Sequence, residues 1–278
     1  MHVLISKDSY FTFPASEVQL KPEIVSEIIV KQPSFFVVTD YTMNGFMALV
    51  QAVDINKKSY NNLRGVIYPY LPYGRQDRHT TPTSPFSLKN FADMFNSLGD
   101  YWMLTWDPHS TVYSAVFNKS MYIPQHSLAS KVLEESEKEY EFIIAPDAGA
   151  SHKAWEVAKA LPYSDKVCVI TATKDRDPST GEVTGYMVPE LLNFDDSPVL
   201  VVDDICDGGR TFVELAKHLA TEYYELDLWV THGIFSKGVD VLRNAGYNHI
   251  YTTNSFEQGP LVDTYEVPNW GMDFNALI

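Results

Sequence analysis

The residues best suited to chemistry lie together in Val199-Leu200-Val201-Val202-Asp203-Asp204-Ile205-Cys206-Asp207-Gly208-Gly209-Arg210-Thr211. The four leading apolar residues predict a central parallel strand. Phe212, Leu215, Ala216 and Leu219 follow at helical spacing. Between the two, Gly208 and Gly209 let the backbone approach a ligand closely. Amides at the start of the helix face outward beside the positive end of its dipole, which makes a seat for phosphate. Asp203 and Asp204 repel phosphate, so they need sugar hydroxyls or a magnesium ion (Mg2+) as partner. The stretch suits a sugar phosphate, hydroxyls at the acidic end and phosphate at the glycine end. An acidic turn with Asp207 as a cap is the plainer alternative.

Other stretches carry candidate groups. Arg75, Arg78 and His79 fall within five residues and make a cationic patch in an acidic chain. Arginine forks grip phosphate oxygens in pairs, and Gln76 and Asp77 can read a base edge or ribose hydroxyls. A solvated charged loop is the alternative there. His109 closes Asp107-Pro108-His109, and a lone histidine is usually structural. Asp147, in Pro146-Asp147-Ala148-Gly149-Ala150, suits a turn or helix cap. Residues 173–182 are polar and contain Pro178 and Gly181. They predict a mobile connection carrying Lys174 and Arg176, or an exposed hairpin with a chance basic pair.

Strands and helices alternate along the chain to position these groups. Apolar runs predict strands over 35–39, 65–68, 103–106, 142–145, 167–171, 199–202, 226–231 and 249–253. Helical spacing predicts helices over 46–53, 88–98, 127–137, 152–161 and 239–245, besides the one from Thr211. Repeated strand–helix units imply parallel sheets covered by helices. Two such runs meet near 122–126, so the expected fold is α/β with two similar domains, each a mostly parallel sheet flanked by helices. The expected domains span 1–125 and 126–278, with the tail packing back on the first. Every candidate group except those near the N-terminus follows a strand, where ligands of such folds bind.

Composition narrows the function classes. The chain has 278 residues, 45% hydrophobic and 21% charged, with a net charge of -15. That charge argues against broad binding to nucleic acid or an anionic membrane, while leaving room for anionic substrates at a locally basic site. Cys168 and Cys206 lie in or beside apolar runs and suit small core residues in a reducing compartment. No apolar run reaches membrane-spanning length and no leader pattern opens the chain. A soluble, cytoplasmic protein is expected.

The stretch from Asp203 to Thr211 resembles the ribose-5-phosphate signature shared by type I phosphoribosyltransferases and ribose-phosphate diphosphokinases. Arg75-Gln76-Asp77-Arg78 matches, in order, the ATP-binding segment of the diphosphokinases, which the phosphoribosyltransferases lack. His109 corresponds to the histidine of their Asp-Leu-His segment, which contacts the metal bound to ATP; Pro108 replaces the leucine. Asp147 matches the metal-binding aspartate of Pro-Asp-x-Gly-Gly, with Ala150 in place of the second glycine. Lys174 and Arg176 match two cations of a Lys-Arg-Arg loop that closes over the transferred phosphates, and Asp175 departs from it. Phe13 and Glu17 match the ends of Phe-Ser-Asp-Gly-Glu, which reaches across a subunit interface to adenine; the central aspartate is missing. Thr231-His232-Gly233-Ile234-Phe235-Ser236 resembles Thr-His-Pro-Ile-Phe-Ser, expected beside the sugar site. The resemblance spans 13–253, without the strand and helix that usually precede the phenylalanine segment.

The resemblance implies a homo-oligomeric enzyme that transfers the diphosphate of MgATP to the anomeric hydroxyl of ribose 5-phosphate. Phe13, Glu17, Arg75, Gln76, Asp77 and His109 would bind ATP, and His109 and Asp147 the metal. Asp203, Asp204, Asp207, Gly208, Gly209, Arg210 and Thr211 would bind the ribose phosphate, and Lys174 and Arg176 would be catalytic. The family loop reads Asp-Thr-Gly-Gly-Thr. Gly208 here removes a side chain and Arg210 adds a cation, so a substituted ribose 5-phosphate such as ADP-ribose is an alternative acceptor. A phosphoribosyltransferase and an inactive regulatory homologue are the remaining alternatives.

Overall fold

The computed structural model describes residues 1–136, 138–176, 183–187, 197–219, 225–257 and 262–265. The chain divides into two compact units, Met1–Ile123 and Pro124–Ile278.

The N-terminal unit runs β1 (His2–Ile5), β2 (Tyr10–Thr12), β3 (Val18–Leu20), α1 (Pro22–Lys31), β4 (Phe35–Val38), α2 (Met43–Ser59), β5 (Gly65–Tyr68), α3 (Ser87–Asn96), β6 (Trp102–Trp106), α4 (Tyr113–Val116) and β7 (Ser120–Ile123). Its parallel sheet has the order β1-β4-β5-β6-β7. β4 and β5 are buried at every position, as central strands covered on both faces should be. β2 and β3 form a separate antiparallel hairpin. Gln51 of α2 holds that hairpin, accepting from Leu20 N at 2.9 Å and donating to Val18 O at 2.8 Å.

Two expectations need correction here. A strand does precede Phe13: β1 pairs in parallel with β4 and buries Val3 and Ile5. Four residues are too few for periodicity to identify, and pairing decides the matter. Instead of a helix, one 3-10 turn at Lys7–Ser9 leads into β2. Phe13 therefore also follows a strand.

The C-terminal unit runs α5 (Gln125–Glu135), β8 (Phe142–Ala145), α6 (Ala148–Ala160), β9 (Cys168–Thr171), β10 (Thr173–Arg176), β11 (Val183–Met187), β12 (Val199–Cys206), α7 (Arg210–His218), β13 (Leu226–Gly233), α8 (Asp240–Arg243), β14 (Tyr247–Thr253) and β15 (Asp263–Tyr265). Its parallel sheet has the order β15-β14-β13-β12-β8-β9, and among the described residues β10 pairs with β11 alone. The chain adds β9 on one side of β8, then returns to place β12 on the other. The sheet therefore reverses direction between β8 and β12, the kind of place where open α/β sheets bind ligands. The α/β class with parallel sheets flanked by helices is as the sequence implies. Cys206 is buried, but Cys168 is exposed, because it opens the edge strand β9. No described helix is long and apolar enough to cross a membrane.

Candidate active site

In the C-terminal unit the predicted sugar-phosphate residues converge at the carboxyl end of β12. The strand is longer than its apolar run. Asp203 pairs in register with Val230, and pairing continues to Cys206 opposite Gly233. Asp203 and Asp204 are thus strand residues rather than loop residues. Asp204 is nearly buried and its Oδ2 lies 3.4 Å from Lys153 Nζ of α6. Asp204 N donates to Asp203 Oδ1 at 2.8 Å. Burial first, then the neighbouring charge of Asp204, push the Asp203 carboxyl well above the usual carboxylate range, and Asp147 adds to the effect. Gln125 Nε2 donates to Asp203 O at 2.6 Å and to Thr231 Oγ1 at 3.3 Å, holding β12 from α5.

Asp147 leaves β8 on the neighbouring side of the reversal and caps α6. Its Oδ1 accepts from Gly149 N at 2.9 Å and Ala150 N at 3.1 Å. Beyond β12, the loop is tied to the turn after β13. Ser236 Oγ donates to Asp207 Oδ1 at 2.6 Å, and Ser236 N to Asp207 O at 3.1 Å. Gly209 takes a left-handed conformation (φ 75°) and begins α7 with no side-chain cap, so α7 starts with amides uncovered by a side chain. Thr211 is half-buried in the first turn, while Arg210 is exposed. The Arg210 charge bears on Glu214 one turn on, where Lys217 is the main cause of a lowered carboxyl pKa.

In the N-terminal unit, Arg75 is exposed on the loop after β5, beyond a tight turn in which Tyr73 is left-handed (φ 61°). Gln76 Oε1 accepts from Ser87 Oγ at 2.6 Å at the start of α3. Asp77 is buried, and its two oxygens accept from Arg78 Nε at 2.8 Å and Nη2 at 3.2 Å. Those bonds lower its pKa against the opposing effect of burial, with further help from Ser110 and the His109 charge. His109 is exposed on the loop after β6, the strand paired with β5, and follows a left-handed Asp107 (φ 35°). That backbone conformation is costly for a non-glycine residue; here it turns the chain sharply out of the sheet. Phe13 and Glu17 close the β2–β3 hairpin, with Phe13 N donating to Glu17 O at 2.7 Å, and Phe13 is half-exposed. Tyr10 of β2 donates to Asp40, two residues beyond the end of β4.

Lys174 and Arg176 belong to β10, whose pairing with β11 shifts register between Asp175 and Arg176. The loop predicted at 173–182 thus begins as a strand, and its remaining residues, 177–182, lie outside the described residues. So does most of the predicted packing tail, 266–278.

Reasoning from sequence missed Lys153, Gln125 and Lys237. Lys153 lies six residues beyond Asp147 with no motif to mark it. Lys237 directly follows the Thr231–Ser236 segment, yet its place over Gly208 depends on how β12 and β13 pair. Among the described residues no three His, Cys, Asp or Glu side chains cluster as a metal cage. Magnesium needs no such cage, because it keeps several waters and uses substrate phosphates. The C-terminal unit offers the carboxylate of Asp147, and the N-terminal unit, taken by itself, offers the exposed imidazole of His109.

Family models match both halves of the chain. The N-terminal domain of ribose phosphate pyrophosphokinase matches residues 3–99, and the phosphoribosyl transferase domain matches residues 116–246. Ribose-phosphate pyrophosphokinase of Sulfurisphaera tokodaii is 29% identical over 93% of this chain and 87% of its own length. That of Mycoplasmopsis pulmonis is 28% identical over 80% of this chain and 68% of its own. In fold, the chain is similar to the crystal structure of phosphoribosylpyrophosphate synthetase from Mycobacterium smegmatis. The TM-score is 0.76 at 16% identity, covering 97% of this chain and 95% of that one. An N-terminal unit of the pyrophosphokinase type joined to a phosphoribosyl transferase unit is the domain pair of one family: the chain belongs to the ribose-phosphate pyrophosphokinases and is an enzyme of that type.

Proposed function

We propose that this enzyme transfers the diphosphate of MgATP to the anomeric hydroxyl of ribose 5-phosphate, yielding phosphoribosyl diphosphate and AMP. The anomeric oxygen bonds to the β-phosphorus, the bond from that phosphorus to the α-phosphate oxygen breaks, and the hydroxyl proton passes to solvent. The observation that carries this reading is the end of β12, where two carboxylates precede an uncapped helix start at the reversal of the sheet. Carboxylates accept sugar hydroxyls and the helix start accepts the 5-phosphate.

In this reading Arg75 and Gln76 bind ATP. The buried Asp77 serves by fixing the Arg78 guanidinium, since its own oxygens are engaged there. Phe13 and Glu17 hold adenine across a subunit interface of a homo-oligomer. His109 and Asp147 contribute to binding magnesium, which neutralises phosphate charge when bound. Lys174 and Arg176 stabilise the transferring diphosphate, because such transfers depend on positioning and charge neutralisation.

A second acceptor reading has its own support. Arg210 is exposed at the edge of the phosphate seat, and the space a side chain at 208 would fill is bordered by the flexible stem of Lys237, so a substituted 5-phosphate such as that of ADP-ribose meets cations and no β-carbon there. The test supplies ATP with each acceptor separately and measures AMP and the anomeric diphosphate by phosphorus NMR. Turnover with ribose 5-phosphate is expected. AMP formed with ADP-ribose alone overturns the first acceptor in favour of the second. No AMP with either favours an inactive regulatory homologue.

A further inference from the structure

We propose that Lys237 is a phosphate-binding residue of the acceptor seat, standing in for the side chain that Gly208 lacks. The inference rests on the reading of the β12–α7 loop as the sugar-phosphate site. A β-carbon placed on Gly208 would meet the Lys237 stem: Cδ and Cε lie 3.5 Å away and Cγ 3.8 Å. The lysine therefore passes over the glycine at van der Waals distance. Its backbone is fixed there by both neighbours. Ser236 bonds Asp207 through Oγ and N, and Gly238 N donates to Phe235 O at 2.8 Å, closing the turn with Gly238 left-handed (φ 75°).

The charge of Lys237 has no ion-pair partner among the described residues, and the side chain is exposed. Arg210, the cation evident in the sequence, has Glu214 within its field one turn along α7. An ammonium on a stem laid across the loop, beside uncapped helix amides, is suited to a phosphate dianion. Gly208 keeps that path open, because a larger residue at 208 would compete with the lysine stem for the same space.

The test measures binding to the full-length protein without ATP, by calorimetry, with ribose 5-phosphate and with inorganic phosphate as probes. Lys237→Met keeps the apolar stem and removes the charge; it is expected to weaken ribose 5-phosphate about tenfold. Lys237→Arg restores most of the affinity, and ATP binding is the same in all three proteins. Unchanged ribose 5-phosphate affinity in Lys237→Met overturns the assignment, even where the wild type turns over normally. Charge-dependent binding in a protein that releases no AMP supports the seat while the proposed reaction falls. A wild type that binds neither probe overturns both.

Discussion

Ser236 donates to the Asp207 carboxylate across 2.6 Å, and this bond joins the loop after β12 to the turn after β13. The two segments are almost thirty residues apart in sequence, yet they form one wall of the candidate acceptor site. Both are placed by the in-register pairing of β12 with β13, which runs to Cys206 opposite Gly233.

Ser236→Ala removes that bond and leaves Asp207 to water. Because the serine is exposed, the cost in stability is small, about 1 kcal/mol. The larger effect falls on the acceptor: its KM rises severalfold while the KM for ATP holds. Steady-state kinetics with each substrate varied in turn checks this. An equal rise in both constants counts against a local role.

Asp203 makes the stability of the ligand-free protein depend on pH. Its folded pKa is raised, by burial first and Asp204 second. The folded state therefore keeps a proton that the unfolded chain has released. Stability of the ligand-free protein falls as pH rises from the ordinary carboxylate range through the folded pKa. Asp203→Asn retains the oxygen that accepts from Asp204 N and removes the titration. The variant is expected to melt higher than the wild type at neutral pH, with a flatter profile, while losing acceptor binding. A lower melting temperature at pH 7 would sink the argument.

At the opposite end of β13, the fully buried Asp227 accepts from Tyr140 Oη at 2.7 Å, Lys138 Nζ at 3.0 Å and His249 N at 2.8 Å. Lys138 also bonds Glu225 at 2.9 Å. Burial opposes the Lys138 charge, but these hydrogen bonds outweigh it and raise the lysine pKa. Its contribution is complete below the usual lysine range and is lost only as pH climbs past the folded value. Lys138→Met strands a buried carboxylate and is expected to cost about 3 kcal/mol, with turnover per folded molecule unchanged. Urea denaturation at neutral pH is the measurement; a loss under about 0.5 kcal/mol would mean the pair is not needed.

Gly45 allows α2 to begin against Asp40, in the short connection that follows β4. A β-carbon there would sit 2.1 Å from Asp40 O and 2.7 Å from Asp40 Cβ. In an ordinary helix Gly→Ala gains about 1 kcal/mol. Here the clash with fixed backbone costs more, about 1–3 kcal/mol, and it disturbs the residue that receives Tyr10. Gly45→Ala is expected to lose stability on balance, and thermal denaturation that shows a gain would refute the packing account.

Much of the architecture was legible in the chain itself. The runs that became β4, β5, β8 and the first half of β12 are apolar at nearly every position, because strands covered on both faces exclude water throughout. Residue type alone suggested a turn or helix cap for Asp147, which does cap α6, and the Asp203–Thr211 stretch stood out because acids and glycines lie between an apolar run and a helical one. β1 escaped notice, because four residues carry no period and only pairing with β4 makes them a strand.

Local sequence determined which groups are present and roughly which strand each one follows. Tertiary structure alone decided two long-range partners: Lys153 for Asp204, and Lys237 rather than Arg210 over Gly208. The physical reason is that sheet order and register bring segments dozens of residues apart into contact. Charge, burial and hydrogen-bond competition then settle roles that spacing along the chain cannot encode.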